Sequence, residues 1–215
     1  MPTTSSINVA DSASNLALIG NTGTIKTVFL DRDGVINQKL PEGEYVSSWD
    51  RFTLLPGVPE AIAKLNQAGL RVLVVTNQRG IALGKYTAEA VQEIHQNLQQ
   101  SLAPFHAKVD GFYFCPHDKK QCDCRKPLPG LFHQAQADFP EITPESSLII
   151  GDSLSDIEFG ANLGLKTIFI AGDPAHRKPG AEKAITLAQQ TVENLPKAVD
   201  LVLQTNPGLQ LKARS

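Results

Sequence analysis

Asp31-Arg32-Asp33-Gly34, Thr76-Asn77-Gln78-Arg79-Gly80, Arg125-Lys126-Pro127 and Gly151-Asp152-Ser153 bring carboxylates, an ammonium and small hydrogen-bonding groups into this chain of 215 residues. Asp31 and Asp152 are hard oxygen donors. A magnesium ion suits them, because it keeps several waters and needs few protein carboxylates. That cation, Lys126 and the side chains of Thr76 and Asn77 can surround a phosphoryl group and neutralise its charge. Asp31 can attack phosphorus to give an aspartyl-phosphate. Asp33, in the turn two residues on, can protonate the leaving oxygen and then activate water. Donating a proton asks for a raised pKa, which crowding among carboxylates supplies. Each stretch alone has a plainer reading. DxDG is also an exposed turn, and Asp152 with Asp156 also favours a helix N-terminus through the dipole. A nucleotide-sugar transferase also places DxD on a metal, but that reading leaves Lys126 and GDSLSD without a role. Gly34 stands at the fourth position of its stretch rather than the sixth, which excludes an EF-hand loop.

A second cluster lies at 115–127, CPHDKKQCDCRKP, and holds all three cysteines of the chain. Cys115, His117, Cys122 and Cys124 offer three sulfurs and one imidazole, a closed set suited to tetrahedral zinc. Four protein ligands leave no open position, so such a zinc is structural. A Cys122–Cys124 or Cys115–Cys122 disulfide and free thiols are the alternatives, although a cytosolic chain rarely keeps disulfides. Arg125 and Lys126 follow Cys124 directly, so fixing this loop fixes them.

These side chains need elements to position them. Short apolar runs predict strands at 27–30, 71–76, 109–114, 147–152 and 166–172. Helical spacing runs from Pro56 to a stop at Gly69, with Val58, Ile62 and Leu65 on one face. Thr87 can cap a long helix carrying Val91, Ile94, Leu98 and Leu102. Residues 130–139 and a stretch with Ile157 and Ala161 are helical, and one or two helices fill 181–204. Strands alternating with helices predict a Rossmann-like, doubly wound α/β fold with a parallel sheet. Ligands of such sheets bind beyond the carboxyl ends of the strands. All four polar stretches follow a strand. The expected organisation is a flexible tail at 1–23, one domain at 24–205 with the cysteine loop at 115–124, and a second tail at 206–215. Residues 36–55 and the cysteine loop are too short to hold a separate cap domain.

A net charge of −2 offers no basic footprint for nucleic acid. No apolar run approaches the roughly 20 residues that span a bilayer. The first 20 residues lack the positive segment and apolar core of a secretory signal. Without GxxxxGK[ST] a P-loop kinase is set aside. A cytoplasmic monomer acting on a small phosphorylated substrate is expected, with no nucleic-acid or membrane partner. Arg79 and Lys85 bind substrate anions or are solvated. The same two readings apply to Asp173, His176 and Arg177 after the fifth strand. His95, His106 and His133 read as structural or exposed.

DRDGVIN, VVTNQRG, CRKP and GDSLSD resemble, in order and spacing, the four motifs of the haloacid dehalogenase superfamily of phosphohydrolases, over about residues 25–172. The cysteine loop is similar to that of the zinc-bearing subgroup of heptose bisphosphate and histidinol-phosphate phosphatases. The resemblance implies Asp31 as nucleophile and magnesium ligand. It implies Asp33 as acid/base and as a ligand through its carbonyl, and Asp152 as the third ligand. Thr76 and Lys126 match phosphate-stabilising positions, with Asn77, Gln78 and Arg79 beside them, and Arg125 matches a substrate-recognition position. Asp156 matches a supporting acid. Tyr45, Val46, Asp50 and Phe52 resemble a segment of the heptose enzymes, whose pattern the chain leaves at Glu44, Leu83 and Ser153. The implied activity is magnesium-dependent removal of the 7-phosphate from D-glycero-D-manno-heptose 1,7-bisphosphate. The alternatives are histidinol phosphate or another small metabolite, and a non-catalytic phosphate-binding protein.

Overall fold

The computed structural model describes residues 24–41, 43–172 and 179–206. The expected tail at 1–23, residues 207–215, and the group Asp173, His176 and Arg177 lie outside them. Among the described residues six strands form one parallel sheet in the order β3-β2-β1-β4-β5-β6. They are β1 (Thr27–Leu30), β2 (Arg71–Asn77), β3 (Gly111–Cys115), β4 (Ser147–Gly151), β5 (Lys166–Ile170) and β6 (Gln190–Val192). The helices between them are α1 (Val58–Gln67), α2 (Ala88–Leu102), α3 (Gly130–Asp138), α4 (Leu154–Leu163), α5 (Ala181–Leu187) and α6 (Leu195–Thr205).

Both sheet faces are covered, which is why the inner strands are continuous apolar runs. Every residue of β1 is buried. Val28 and Leu30 point to one face, where Val72, Val74, Leu148 and Ile150 meet Ile62, Leu65, Ile94, Leu98, Val199 and Val202 of α1, α2 and α6. Phe29 points to the other, against Leu73, Ile149, Phe132 of α3 and Phe159 of α4. Thr27 pairs with Arg71 on one side and with Ser147 on the other. Strand order reverses between β1 and β4, so the open end of that pair is where this topology builds a site. The expected Thr87 cap is present: its hydroxyl accepts from the Ala90 N–H at 3.2 Å.

The sequence reading differs from the fold at two places. Residues 181–204 hold a sixth strand, Gln190–Val192, as well as helices; it pairs parallel to β5. Asn206, placed by the sequence in a tail, is fully buried. Its side chain accepts from the Ile25 N–H at 3.2 Å and donates to the Ile25 carbonyl at 2.9 Å, tying the two ends of the domain together. Residues 36–41 and 43–57 form a flap and no separate cap domain, as the length of this stretch predicts. A short turn at Trp49–Arg51 stacks Trp49 on Phe52 at 4.8 Å.

His95 on α2 is 5% exposed and stacks on Phe112 with ring centroids 4.5 Å apart. Burial, aided by the nearby Arg32 guanidinium, lowers its pKa to about 3 from 6.5. The unfolded chain therefore takes up this proton first as pH falls. Stability from the neutral imidazole is lost progressively below about pH 6.5, with about 2 kcal/mol gone at pH 5. His95→Phe keeps the stacked ring and removes the proton site. Urea unfolding at pH 7 and pH 5 should show a smaller difference for this variant by about that amount; an unchanged difference contradicts the buried neutral state.

Candidate active site

The carboxyl ends of β1, β2 and β4 and the loop after β3 open onto a cavity of about 300 Å³. Asp31, Asp33, Thr76, Asn77, Arg125, Lys126 and Asp156 line it, together with Ser153 and Ser155 at the start of α4. Asp31 and Asp152 follow adjacent strands, so the register of β1 on β4 alone brings them together. Oxygen atoms of Asp31, Asp152 and Asp156 lie within 4.8 Å of one another. Gly34 permits this approach. It holds φ 101°, and a Cβ there would stand 2.2 Å from Asp152 Oδ2. Gly151 does the same for Asp156, whose Cβ would be 2.2 Å from an added methyl.

Lys126 is 3% exposed. Its Nζ donates to Asp31 Oδ1 at 3.0 Å and to the Val75 carbonyl at 2.5 Å, and pairs with Asp156 Oδ1 at 2.6 Å. Burial alone would lower the lysine pKa, but Asp156 and then Asp31 outweigh it and raise the pKa above the ordinary range. Asp156 is held the other way: burial pushes it up, and Lys126 with the Ser153 hydroxyl brings it below its usual value. That hydroxyl donates to Asp156 Oδ2 at 2.6 Å and the Ser153 N–H donates to the same oxygen at 3.0 Å. Asp156 thus serves the lysine and the start of α4. Asp31 rises to about 6 through burial and the Asp156 charge, against the pull of Lys126. A cation bound between Asp31 and Asp152 reverses that rise. Two oxygen donors at this spacing, with a third beside them committed to Lys126, fit a hard divalent ion. Lys39, which the sequence reading passed over, reaches this edge and contacts Asp152 Oδ2.

Asp33 departs from expectation. Burial raises its pKa, but the Arg32 guanidinium and hydrogen bonds from Asn37, Arg32 and Gln78 outweigh it, and the carboxyl is held below its usual range. Arg32 is fully buried and reaches both oxygens, with Nη2 at 2.9 and 3.0 Å. Asn37 Nδ2 donates to Oδ1 at 3.0 Å and Gln78 Nε2 to Oδ2 at 3.0 Å. Crowding among carboxylates is real here, but it acts on Asp31; the cations and amides around Asp33 decide its charge.

The other expected residues divide. Thr76 and Arg125 line the cavity, and Arg125 Nη1 is buried with no hydrogen-bond partner among the described residues. Asn77 also lines it, but its amide clamps the backbone of Lys126, accepting from N at 3.0 Å and donating to O at 3.1 Å. Gln78 is buried behind the cavity wall. Arg79 turns away and binds Asp118 of the cysteine loop at 2.5 and 3.2 Å.

In that loop Cys115 Sγ stands 3.5 Å from Cys122 Sγ and 3.8 Å from His117 Nδ1, which is 3.3 Å from Cys124 Sγ. All three cysteines are free thiols. Four ligand atoms so spaced match the edges of a tetrahedron with metal–sulfur and metal–nitrogen bonds of about 2.3 and 2.0 Å. Gly130 lets α3 pack against this loop, since a Cβ there would lie 2.7 Å from Cys124 Cα.

A family model described as HAD-hydrolase-like matches residues 123–198. The D-glycero-alpha-D-manno-heptose-1,7-bisphosphate 7-phosphatase of Mycobacterium tuberculosis is 44% identical over 137 residues, covering 63% of this chain and 72% of that one. The beta-named counterpart of Escherichia coli K12 is 36% identical over 186 residues, 82% of this chain and 94% of that one. Among solved structures, D,D-heptose 1,7-bisphosphate phosphatase from B. bronchiseptica, complexed with magnesium and phosphate, superposes with a TM-score of 0.72 at 31% identity, covering 84% of this chain and 99% of that chain.

The buried ion pairs generate one direct test. Asp156→Ala leaves the Lys126 ammonium short of a counter-charge inside the fold, which costs about 3–5 kcal/mol. Urea denaturation should read that loss; a change below about 1 kcal/mol means that Asp31 alone carries the lysine.

Proposed function

Because the chain belongs to the haloacid dehalogenase-like hydrolases, in the family of the heptose-1,7-bisphosphate 7-phosphatases, we propose that it removes the 7-phosphate of a D-glycero-D-manno-heptose 1,7-bisphosphate. The observation that carries this reading is a buried Lys126 ammonium 3.0 Å from Asp31, on the edge where Asp152 also converges. The relatives are named for both anomers, alpha and beta; the reaction at C7 is common to the two names.

Asp31 attacks phosphorus from the cavity floor. Its bond to phosphorus forms as the bond to the sugar oxygen breaks, and Asp33 gives that oxygen its proton. In the second half water attacks the aspartyl-phosphate and loses a proton to Asp33, and Asp31 is released with inorganic phosphate. Lys126 and the Thr76 hydroxyl meet the charge on the transferring group. Asp33 is ionised in the free site, the state the second half needs. A phosphate dianion entering beside it raises its proton affinity, as a like charge does, so Asp33 takes up from water the proton that it then gives to the sugar oxygen. Arg125, with its buried and unpartnered N–H, meets a second anionic or polar group of the substrate. Asp31, Asp152 and the Asp33 carbonyl would hold a magnesium ion, which when bound would supply further neutralisation of the phosphoryl oxygens. Cys115, His117, Cys122 and Cys124 would hold a zinc ion, which would fix the loop that presents Arg125 and Lys126. The protein works as a monomer in the cytoplasm. Among the described residues no helix is long and apolar enough to cross a membrane.

Asp31→Asn should lower turnover at least about a thousandfold, by loss of the nucleophile. In steady-state assays with magnesium, kcat/KM on heptose 1,7-bisphosphate should exceed that on histidinol phosphate by a factor on the order of 100. Comparable slow turnover on both contradicts the substrate assignment. Metal analysis should find about one tightly held zinc per chain, and Cys122→Ser should lower both that content and thermal stability. Full stability in that variant contradicts the positioning role of the loop.

A further inference from the structure

Tyr86 lies outside the four polar stretches, eight residues beyond Gln78. The turns after β2 fold it back: the Lys85 N–H donates to the Gly80 carbonyl at 2.9 Å. The ring then sits over Gly80, where an added Cβ would lie 2.1 Å from Tyr86 Cε1 and 2.8 Å from its hydroxyl oxygen. Tyr45 of the flap packs against the Tyr86 ring with ring centroids 5.8 Å apart. In this seat the Tyr86 hydroxyl donates to Gln78 Oε1 at 2.7 Å. Gln78 Nε2 donates to Asp33 Oδ2 at 3.0 Å and to Thr76 Oγ1 at 2.9 Å.

The chemistry of these donors fixes their direction. A carboxylate can only accept, so the amide nitrogen must face Asp33 and the amide oxygen must face away. A flipped amide would set its oxygen against the carboxylate. Tyr86 prevents the flip by satisfying the oxygen where it stands. Thr76 Oγ1 accepts from the same amide, so its own hydrogen is free to point into the cavity, toward a phosphoryl oxygen. One amide therefore orients the two side chains that meet the phosphate from this wall.

We infer that Tyr86, acting through Gln78, is a positioning residue for Asp33 and Thr76. Gln78 is itself a positioning residue and not a substrate ligand. The inference rests on the acid/base reading of Asp33. Tyr86→Phe keeps the ring on Gly80 and deletes the one donor. Gln78 then loses its lock, and the alignment of Asp33 with a departing oxygen weakens.

The experiment measures kcat/KM on phenyl phosphate and on 4-nitrophenyl phosphate, two esters of one shape that differ in their need for a proton on the leaving oxygen. In Tyr86→Phe the phenyl to 4-nitrophenyl ratio should fall about three- to tenfold, the worth of one hydrogen bond. An unchanged ratio in Tyr86→Phe, where Asp33→Asn lowers it, overturns the inference. Asp33→Asn is the reference and should lower the ratio further. If Asp33→Asn leaves it at the wild-type value, the acid/base reading has failed, and the second measurement decides the relay. That measurement is hydrogen exchange of the Gln78 side-chain amide by NMR, assigned with Gln78→Glu. Exchange at least about threefold faster in Tyr86→Phe supports the relay, and equal protection in both proteins overturns it.

Discussion

A buried ammonium governs the active edge of this protein. An unpaired charge at Lys126 would cost several kcal/mol, so carboxylates must meet it inside the fold. The groups that do so arrive on separate elements. Asp31 follows β1, Asp156 lies in α4 after β4, Val75 is in β2, and the lysine comes from the loop after β3. Satisfying one charge therefore fixes four neighbouring strand ends at once. The same arrangement divides the carboxylates. Asp156, bonded to Lys126 and Ser153, stays ionised, while burial and its neighbour's charge raise Asp31.

Around this pair lies an outer ring that holds the lysine's backbone. Asn77 clamps Lys126 from β2, and Gly130 brings α3 close against Cys124. The Arg79–Asp118 pair joins the β2 loop to the cysteine loop. Arg79 therefore ties the two loops together and does not line the cavity. The sulfur cluster breaks no bond in this scheme. A zinc held there would limit the freedom of the segment that carries Arg125 and Lys126 and so lower the entropy lost on binding.

Continuous apolar runs made the inner strands legible, because a strand covered on both faces has no polar positions to confuse the pattern. β6 had no such run. Gln190-Thr191-Val192 is short, lies at the sheet edge and is partly exposed, and only its pairing with β5 defines it. The acids, the lysine and the Cys/His set were legible as groups from type and spacing, and the fold gathers the acids around the lysine and the four Cys/His side chains around one another. Side-chain direction was not legible. Four polar residues in a row at the end of β2 and just beyond it looked alike, yet Thr76 faces the cavity, Asn77 clamps a backbone, Gln78 lies behind the wall and Arg79 leaves it. The charge state of Asp33 was misread for the same reason. Counting carboxylates missed Arg32, whose buried guanidinium grips the neighbouring acid. Tyr86 was invisible because its partner is reached only through the folded turn over Gly80.

The central claim is that Asp31, poised against Lys126, takes the phosphoryl group. The most direct measurement is rapid acid quench of Asp33→Asn during turnover, since that variant lacks the base that clears the intermediate. The quenched protein is digested and analysed by mass spectrometry. A phosphoryl group is expected on the peptide bearing Asp31, and none in the double variant that also carries Asp31→Asn. A phosphorylated peptide elsewhere in the chain, or substrate consumed with no label on Asp31 at any quench time, contradicts the claim.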